Sequence, residues 1–173
     1  AVSTGGVASF TSVTIGGVTA TLLVQKTTTS SLGVAAIYYA RIPSGTTATV
    51  VVTPVAISTL CSVSLFSLTG WVGVNTVTNS GNGASPITLS LTLPNNSAAV
   101  GAMTATNAFV FDPTITFNWT GLTVYATDTT PSYRGHSQSY GNFATGGSPV
   151  TMSCATNTTD DQYTAGASAG FYN

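Results

Sequence analysis

Threonine occupies 33 of the 173 positions and is spread along most of the chain. The side chains of threonine and valine branch at Cβ, which restricts χ1 and favours extended strands over helices. The apolar residues show no sustained 3.6-residue repeat, so helices should be short or absent. An all-β fold is therefore predicted, and the length fits one domain covering residues 1–173.

Charged side chains make up 4% of the chain, against roughly 25% in an ordinary soluble domain. The seven charged residues are Lys26, Arg41, Arg134, Asp112, Asp128, Asp160 and Asp161. Three scattered basic side chains are too few to neutralise several phosphates, which argues against a nucleic-acid partner. The lack of glutamate and the single histidine argue against an acid/base enzyme, and no cofactor is predicted.

Hydrophobic residues make up 43% of the chain, yet no apolar run approaches the roughly 18 to 20 residues that span a bilayer. The longest apolar run, residues 33–40, ends at Arg41. The first residues have neither the basic start nor the apolar core of a signal peptide. No membrane partner is therefore predicted.

Short alternating stretches separated by turn residues predict about ten antiparallel strands in a β-sandwich. Gly16-Gly17 tolerates the positive φ angles of a tight hairpin and gives the clearest turn signal. Residues 86–93 alternate apolar and polar side chains, which predicts a strand with one buried face, and residues 98–106 are its expected neighbour. Residues 75–85 and 128–142 are predicted to be loops.

Catalytic and metal-binding patterns are weak. His136 has no nucleophile-positioning motif beside it, so a solvated or contact-forming loop histidine is favoured over a catalytic triad. Asp160 and Asp161, with Asn157 nearby, could supply oxygens to Ca²⁺, but a solvated acidic turn is favoured. Cys61 and Cys154 both lie on apolar strand faces, and a disulfide bridge and two buried thiols remain equally open.

The aromatic residues suggest contact sites. Trp119 continues the inward face of its strand and is predicted to be a core residue. Trp71 follows Gly70 and is out of phase with the next strand, which suggests exposure at a loop, an interface or a ligand site. The predicted contact residues come from the 128–142 loop, from Trp71 and from the C-terminal end of the chain. They are Trp71, Tyr133, Arg134, His136, Tyr140, Phe171 and Tyr172.

The scarcity of charge also predicts self-association. Sheet edges expose unpaired N–H and C=O groups, and soluble monomers commonly protect them with lysines, inward charges or bulges. This chain has one lysine and a net charge of −1, so little repulsion keeps copies apart. We expect neighbouring copies or a lattice to cover the edges. This association should depend only weakly on salt concentration.

Residues 35–52 (AAIYYARIPSGTTATVVV) and 117–123 (FNWTGLT) carry a resemblance. In them the chain resembles the β-sandwich accessory structural proteins of tailed bacteriophages, such as head decoration or fibre components. The resemblance implies a jelly-roll-like fold, no catalysis and a place on the virion, in contact with a capsid or tail protein. A carbohydrate-binding or adhesin module that binds glycans is the alternative function.

Overall fold

The computed structural model describes residues 1–5, 9–29, 31–42, 47–56, 60–82, 87–107, 117–130, 134–144, 149–156 and 162–172. Within these ranges the chain forms fifteen strands and no helix. No helix long and apolar enough to cross a membrane is found among these residues. The all-β prediction is confirmed.

The strands follow one another in chain order. They are β1 (Val2–Gly5), β2 (Phe10–Ile15), β3 (Val18–Thr19), β4 (Thr21–Thr27), β5 (Gly33–Tyr39), β6 (Val50–Pro54), β7 (Leu60–Val63), β8 (Gly73–Asn82), β9 (Ile87–Thr92), β10 (Ser97–Asn107), β11 (Phe117–Thr120), β12 (Thr123–Thr130), β13 (Arg134–Phe143), β14 (Pro149–Thr156) and β15 (Gln162–Tyr172).

These strands form four sheets, and every described strand pair is antiparallel. The central sheet has the order β12-β13-β10-β15-β8, and the four-stranded sheet has the order β4-β5-β1-β7. Two three-stranded sheets remain: the β9 sheet, β11-β14-β9, and the β2 sheet, β3-β2-β6.

The central sheet is covered on both faces, so the sandwich has three layers rather than two. One apolar cluster joins Leu89 of β9 to Met103 of β10. A second joins Ile37 of β5 to Ala167 of β15 on the opposite face. β15 is buried continuously over residues 164–171, and small side chains allow the sheets on both sides to approach it closely.

The β2 sheet contacts the four-stranded sheet through an aromatic pair. The ring of Phe10 in β2 meets the ring of Tyr38 in β5 edge to face, with centroids 5.9 Å apart. The chain passes between the two sheets at Ala20, whose amide donates a hydrogen bond to the carbonyl of Val13 at 2.9 Å. The predicted hairpin turn is confirmed: Gly16 and Gly17 have φ angles of +59° and +78°, which glycine adopts without steric cost.

Several details of the strand prediction were wrong. The chain has fifteen described strands rather than about ten, and residues 75–82 belong to β8 rather than to a loop. The predicted 128–142 loop is a hairpin in its described parts, with Thr123 opposite Tyr140 and Thr130 opposite Arg134. β9 pairs with β14 rather than with β10; it instead packs face to face on the central sheet, because its leucines belong to the core between the two layers.

Candidate assembly surface

Three aromatic rings form a cluster at the β12 end of the central sheet, which we call the aromatic patch: the exposed Tyr125 and Tyr140, and Phe66, which is half-buried against the core. The ring of Phe66 lies 4.9 Å from that of Tyr125 and 6.0 Å from that of Tyr140, measured between centroids. Tyr125 and Tyr140 are 6.2 Å apart at an interplanar angle of 77°. Their exposed fractions, 56% and 39%, leave much of both rings in solvent.

A β-bulge places Tyr125 in this patch. Val124 pairs with Ser139 and Ala126 pairs with Gln138, which leaves Tyr125 without a register partner on β13. An extra residue of this kind bends a strand and redirects its side chain. Sequence analysis missed Tyr125, although an aromatic residue between Thr123 and Thr127 in a strand was a usable signal of an exposed ring.

Phe66 reaches the patch from outside the regular strands. β7 ends at Val63, and the chain then continues without strand structure as far as Val72. This irregular segment places the ring of Phe66 against the rings of Tyr125 in β12 and Tyr140 in β13. Leu65, the residue before Phe66, is 47% exposed.

Trp71 lies in a second aromatic row rather than standing free on the surface. Its ring meets Tyr39 at 4.9 Å and Phe171 at 5.3 Å, both edge to face. Phe171 is buried at 4% exposure and belongs to the core between the central and four-stranded sheets. Trp71 is half-buried against that core. The expectation of an exposed ring was therefore wrong.

This aromatic row borders a cavity of about 340 Å³. Most of its lining is apolar and includes Val13, Ile37 and Val100. The amino group of Ala1 also lines it and donates a hydrogen bond to the carbonyl of Ser64 at 2.8 Å. Burial lowers the pKa of this amine to about 5, since a low-dielectric surrounding disfavours the charged form.

His136 does not lie on a loop. It is fully buried in β13, where its register partners are Thr104 on β10 and Asp128 on β12. The expectation of a solvated or contact-forming loop histidine was wrong, because the polar run of residues 134–143 pairs with strands on both sides. A side chain with no exposed surface cannot form a contact with another molecule in this conformation.

The other predicted contact residues are scattered. Tyr133 lies outside the described residues, and Arg134 is described only as the first residue of β13. Tyr172 ends β15 opposite Gly73 of β8. Of the residues singled out in the sequence, Tyr140 alone is placed in the aromatic patch.

The two cysteines lie in different layers. Cys61 belongs to β7 of the four-stranded sheet and is an exposed free thiol, so the expectation of a buried thiol was wrong for this residue. Cys154 belongs to β14 of the β9 sheet, with the central sheet between them. Two sheet spacings of about 10 Å each far exceed the Cα separation of a disulfide, so the bridge left open by the sequence is excluded.

Among the residues that the structure describes, no three histidine, cysteine, aspartate or glutamate residues lie together as metal ligands. Asn157, Asp160 and Asp161 fall outside the described ranges, so the solvated acidic turn that the sequence favours over a calcium site stays a prediction. Trp119 was predicted to be a core residue; it packs on the core between the central and β9 sheets.

Comparison with protein-family models, with curated proteins and with solved structures finds no significant match to this chain. The function is therefore inferred from the molecule's own surfaces.

Proposed function

We propose that this protein is a non-enzymatic structural component of a virion, a capsid decoration or other head or tail accessory protein. It attaches to copies of itself or to a capsid or tail protein. The observation that carries the proposal is the aromatic patch: Phe66, Tyr125 and Tyr140 contact one another while Tyr125 stays 56% exposed. Exposed aromatic clusters are typical of protein contact surfaces.

The charge of the chain supports contacts of this kind. Seven charged residues and a net charge of −1 give copies little mutual repulsion. Burial of the Tyr125 and Tyr140 rings against a neighbour removes apolar surface from water, which is the main favourable term in association. Such contacts depend weakly on ionic strength, in contrast to contacts formed by exposed ion pairs.

The virion assignment rests on the resemblance of residues 35–52 and 117–123 to phage accessory proteins. A jelly-roll connectivity belongs to the same proposal. Assembly would then take place in the host cytoplasm, and the finished protein would lie on the particle. A capsid or tail gene beside the gene for this chain supports this assignment, whereas neighbours of an unrelated kind count against it.

The association is tested by multi-angle light scattering over a range of concentrations at low and high salt. We expect the wild-type protein to increase in mass with concentration to the same extent at both salt levels. A variant with Tyr125→Ser and Tyr140→Ser should associate less. Val51→Ser is the matched control, because Val51 is 51% exposed and lies in β6, outside the patch. A wild-type monomer at every concentration contradicts the proposal.

Carbohydrate binding is the second candidate, and the exposed rings of Tyr125 and Tyr140 favour it. Aromatic side chains present large apolar faces beside a polar hydroxyl, a combination suited to sugar rings. A glycan array separates the two functions. Retention of a monomer on glycans, lost with Tyr125→Ser, favours the module, whereas assembly without glycan retention favours the structural protein.

A further inference from the structure

The edge strands of the four sheets are protected to different extents. β12 and β4 each contain a register shift, and they carry Asp128 and Lys26 respectively. β6 ends in Pro54. β3, β7 and β11 are only two to four residues long. Bulges, charges, prolines and short length are the usual means by which proteins prevent pairing at a sheet edge.

The edge of β9 is covered by side chains from β8. The Nδ2 group of Asn75 donates to the carbonyl of Thr92 at 2.8 Å, and the Nδ2 group of Asn79 donates to the carbonyl of Thr88 at 3.0 Å. These asparagines occupy backbone acceptors that another strand would otherwise use. β9 is therefore partly closed to pairing.

In the part of the chain that the structure describes, β8 has none of these protections. It is ten residues long and contains no charged residue and no proline. Its register against β15 runs without a shift from Gly73 opposite Tyr172 to Asn82 opposite Tyr163. β8 is the last strand of the central sheet, and no described strand pairs with its other side. Among the described edges, β8 thus offers the longest regular row of backbone donors and acceptors.

The sequence of β8 is palindromic about Val77. Residues 75–79 read Asn75-Thr76-Val77-Thr78-Asn79. When two such strands pair antiparallel about a two-fold axis at Val77, each residue faces one of its own type. Val77 then lies opposite Val77 of the second copy, threonine opposite threonine and asparagine opposite asparagine.

This pairing also keeps each side chain on its own face of the sheet. Side chains alternate along a strand, so Asn75, Val77 and Asn79 share the face towards β9 while Thr76 and Thr78 share the opposite face. A two-fold axis perpendicular to the sheet preserves these faces in both copies. Opposed threonine pairs stabilise antiparallel strands, and an isologous interface of this kind closes as a dimer.

We propose that β8 pairs antiparallel with β8 of a second copy of this chain about a two-fold axis at Val77. The two central sheets then become one continuous sheet. The absence of charge on β8 fits a second copy better than a charged partner, and the palindrome makes the strand complementary to itself. The inference rests on the proposed function and adds to it a second contact between copies, at the edge of the central sheet opposite the aromatic patch.

A cysteine trap tests the register in full-length chains that carry Cys61→Ser and Cys154→Ser. Directly opposed residues have Cβ atoms about 4.5–5.5 Å apart, close to the spacing of a disulfide. Val77→Cys should therefore give a covalent dimer under mild oxidation. Val74→Cys is the matched control on the same strand, since two-fold pairing separates its two copies by about 20 Å.

Charge substitutions test the pairing independently. A chain with Thr76→Lys and Thr78→Lys opposes lysine to lysine twice, and a chain with Thr76→Glu and Thr78→Glu opposes like charges in the same way. Each should dimerise about tenfold more weakly than the wild type. Mixing the two should restore dimers that contain one chain of each kind.

The outcomes separate the two proposals. A covalent dimer from Val77→Cys but not from Val74→Cys, with restoration on mixing, supports the β8 dimer. Assembly that neither the cysteine trap nor the charge pairs affect overturns the β8 dimer but leaves the structural function standing. A protein that stays monomeric at every concentration overturns both.

Discussion

Gln138 of β13 and Ser3 of β1 connect the central and four-stranded sheets. The Nε2 group of Gln138 donates to the hydroxyl oxygen of Ser3 at 2.9 Å across 135 residues of sequence. Its Oε1 atom accepts from the hydroxyl groups of Ser62 and Ser64, each at 3.3 Å. One buried amide thus joins β13 to β1, to β7 and to the segment after it.

The amide of Gln138 should be necessary for a stable contact between these layers. Gln138→Ala leaves buried hydroxyl groups without their partner and creates a cavity, so we expect a loss of about 2–4 kcal/mol in the free energy of unfolding. Urea denaturation measures it. Asn142→Ala, on the exposed part of the same strand, should change the midpoint little, and equal midpoints for both variants contradict this role.

Gly170 of β15 marks a close approach between the central and β9 sheets. A Cβ atom at Gly170 would overlap Cδ2 of Leu93 and lie 3.4 Å from Cδ1 of Leu91. Gly170→Ala should therefore destabilise the protein by about 1–3 kcal/mol.

A double-mutant cycle with Leu93→Ala checks the cause of that loss. Removal of Cδ2 makes room for the new methyl group, so the double variant should lose less stability than the two single losses combined. Gly170→Ala together with Val13→Ala, in the separate β2 sheet, should be additive. Additivity in both pairs contradicts the overlap with Leu93.

The thiol of Cys61 should react slowly although the residue is exposed on an edge strand. Partial burial of the sulfur raises the pKa of this thiol, and the thiolate is the reactive form. At neutral pH we expect alkylation of Cys61 to be slower in the folded protein than in urea, with the difference narrowing as pH rises. Mass spectrometry of the wild type and of Cys61→Ser separates this reaction from that of Cys154.

The same shift fixes the sign of a pH effect on stability. The thiol stays protonated in the folded protein at pH values where the unfolded chain has begun to ionise. The contribution of Cys61 is therefore fully present below the ordinary thiol pKa and is lost as pH rises through the folded value. Cys61→Ser should remove the part of the stability loss at alkaline pH that this thiol causes. The measurement is the free energy of unfolding as a function of pH, and an unchanged pH dependence in Cys61→Ser contradicts the prediction.

Sequence patterns predicted strands where large and polar side chains alternate. Leu89 and Leu91 are buried while Ser90 between them is exposed. This alternation of apolar and polar side chains is why the sequence predicted β9. β15 lacked such a signal. Its interior faces consist of residues such as Ala167 and Gly166, because both faces must accommodate a neighbouring sheet.

The assembly surface was harder to predict for a related reason. The position of Tyr125 depends on a bulge, which sequence alternation does not locate. The edge status of β8 depends on the order of strands in the central sheet, a non-local property. Trp71 was expected at the surface because local phase did not reveal its contact with Phe171, one hundred positions later.

Trp119 of β11 should stabilise the contact between the β9 and central sheets through a polar bond as well as by packing. Its indole N–H donates to the hydroxyl oxygen of Ser137 at 2.8 Å, and the Ser137 hydroxyl is also 3.3 Å from the carbonyl of Ala126. Trp119→Phe keeps an aromatic ring but removes the donor, so we expect a loss of about 1–3 kcal/mol.

Combining Trp119→Phe with Ser137→Ala isolates the bond. If the hydrogen bond carries part of the loss, the double variant is less destabilised than the two single variants together, by about 0.5–1.5 kcal/mol of coupling. Thermal and urea unfolding should give the same coupling. The packing of the Trp119 ring against its other neighbours does not depend on the Ser137 hydroxyl. A coupling of zero therefore means that Trp119 stabilises the protein by packing alone.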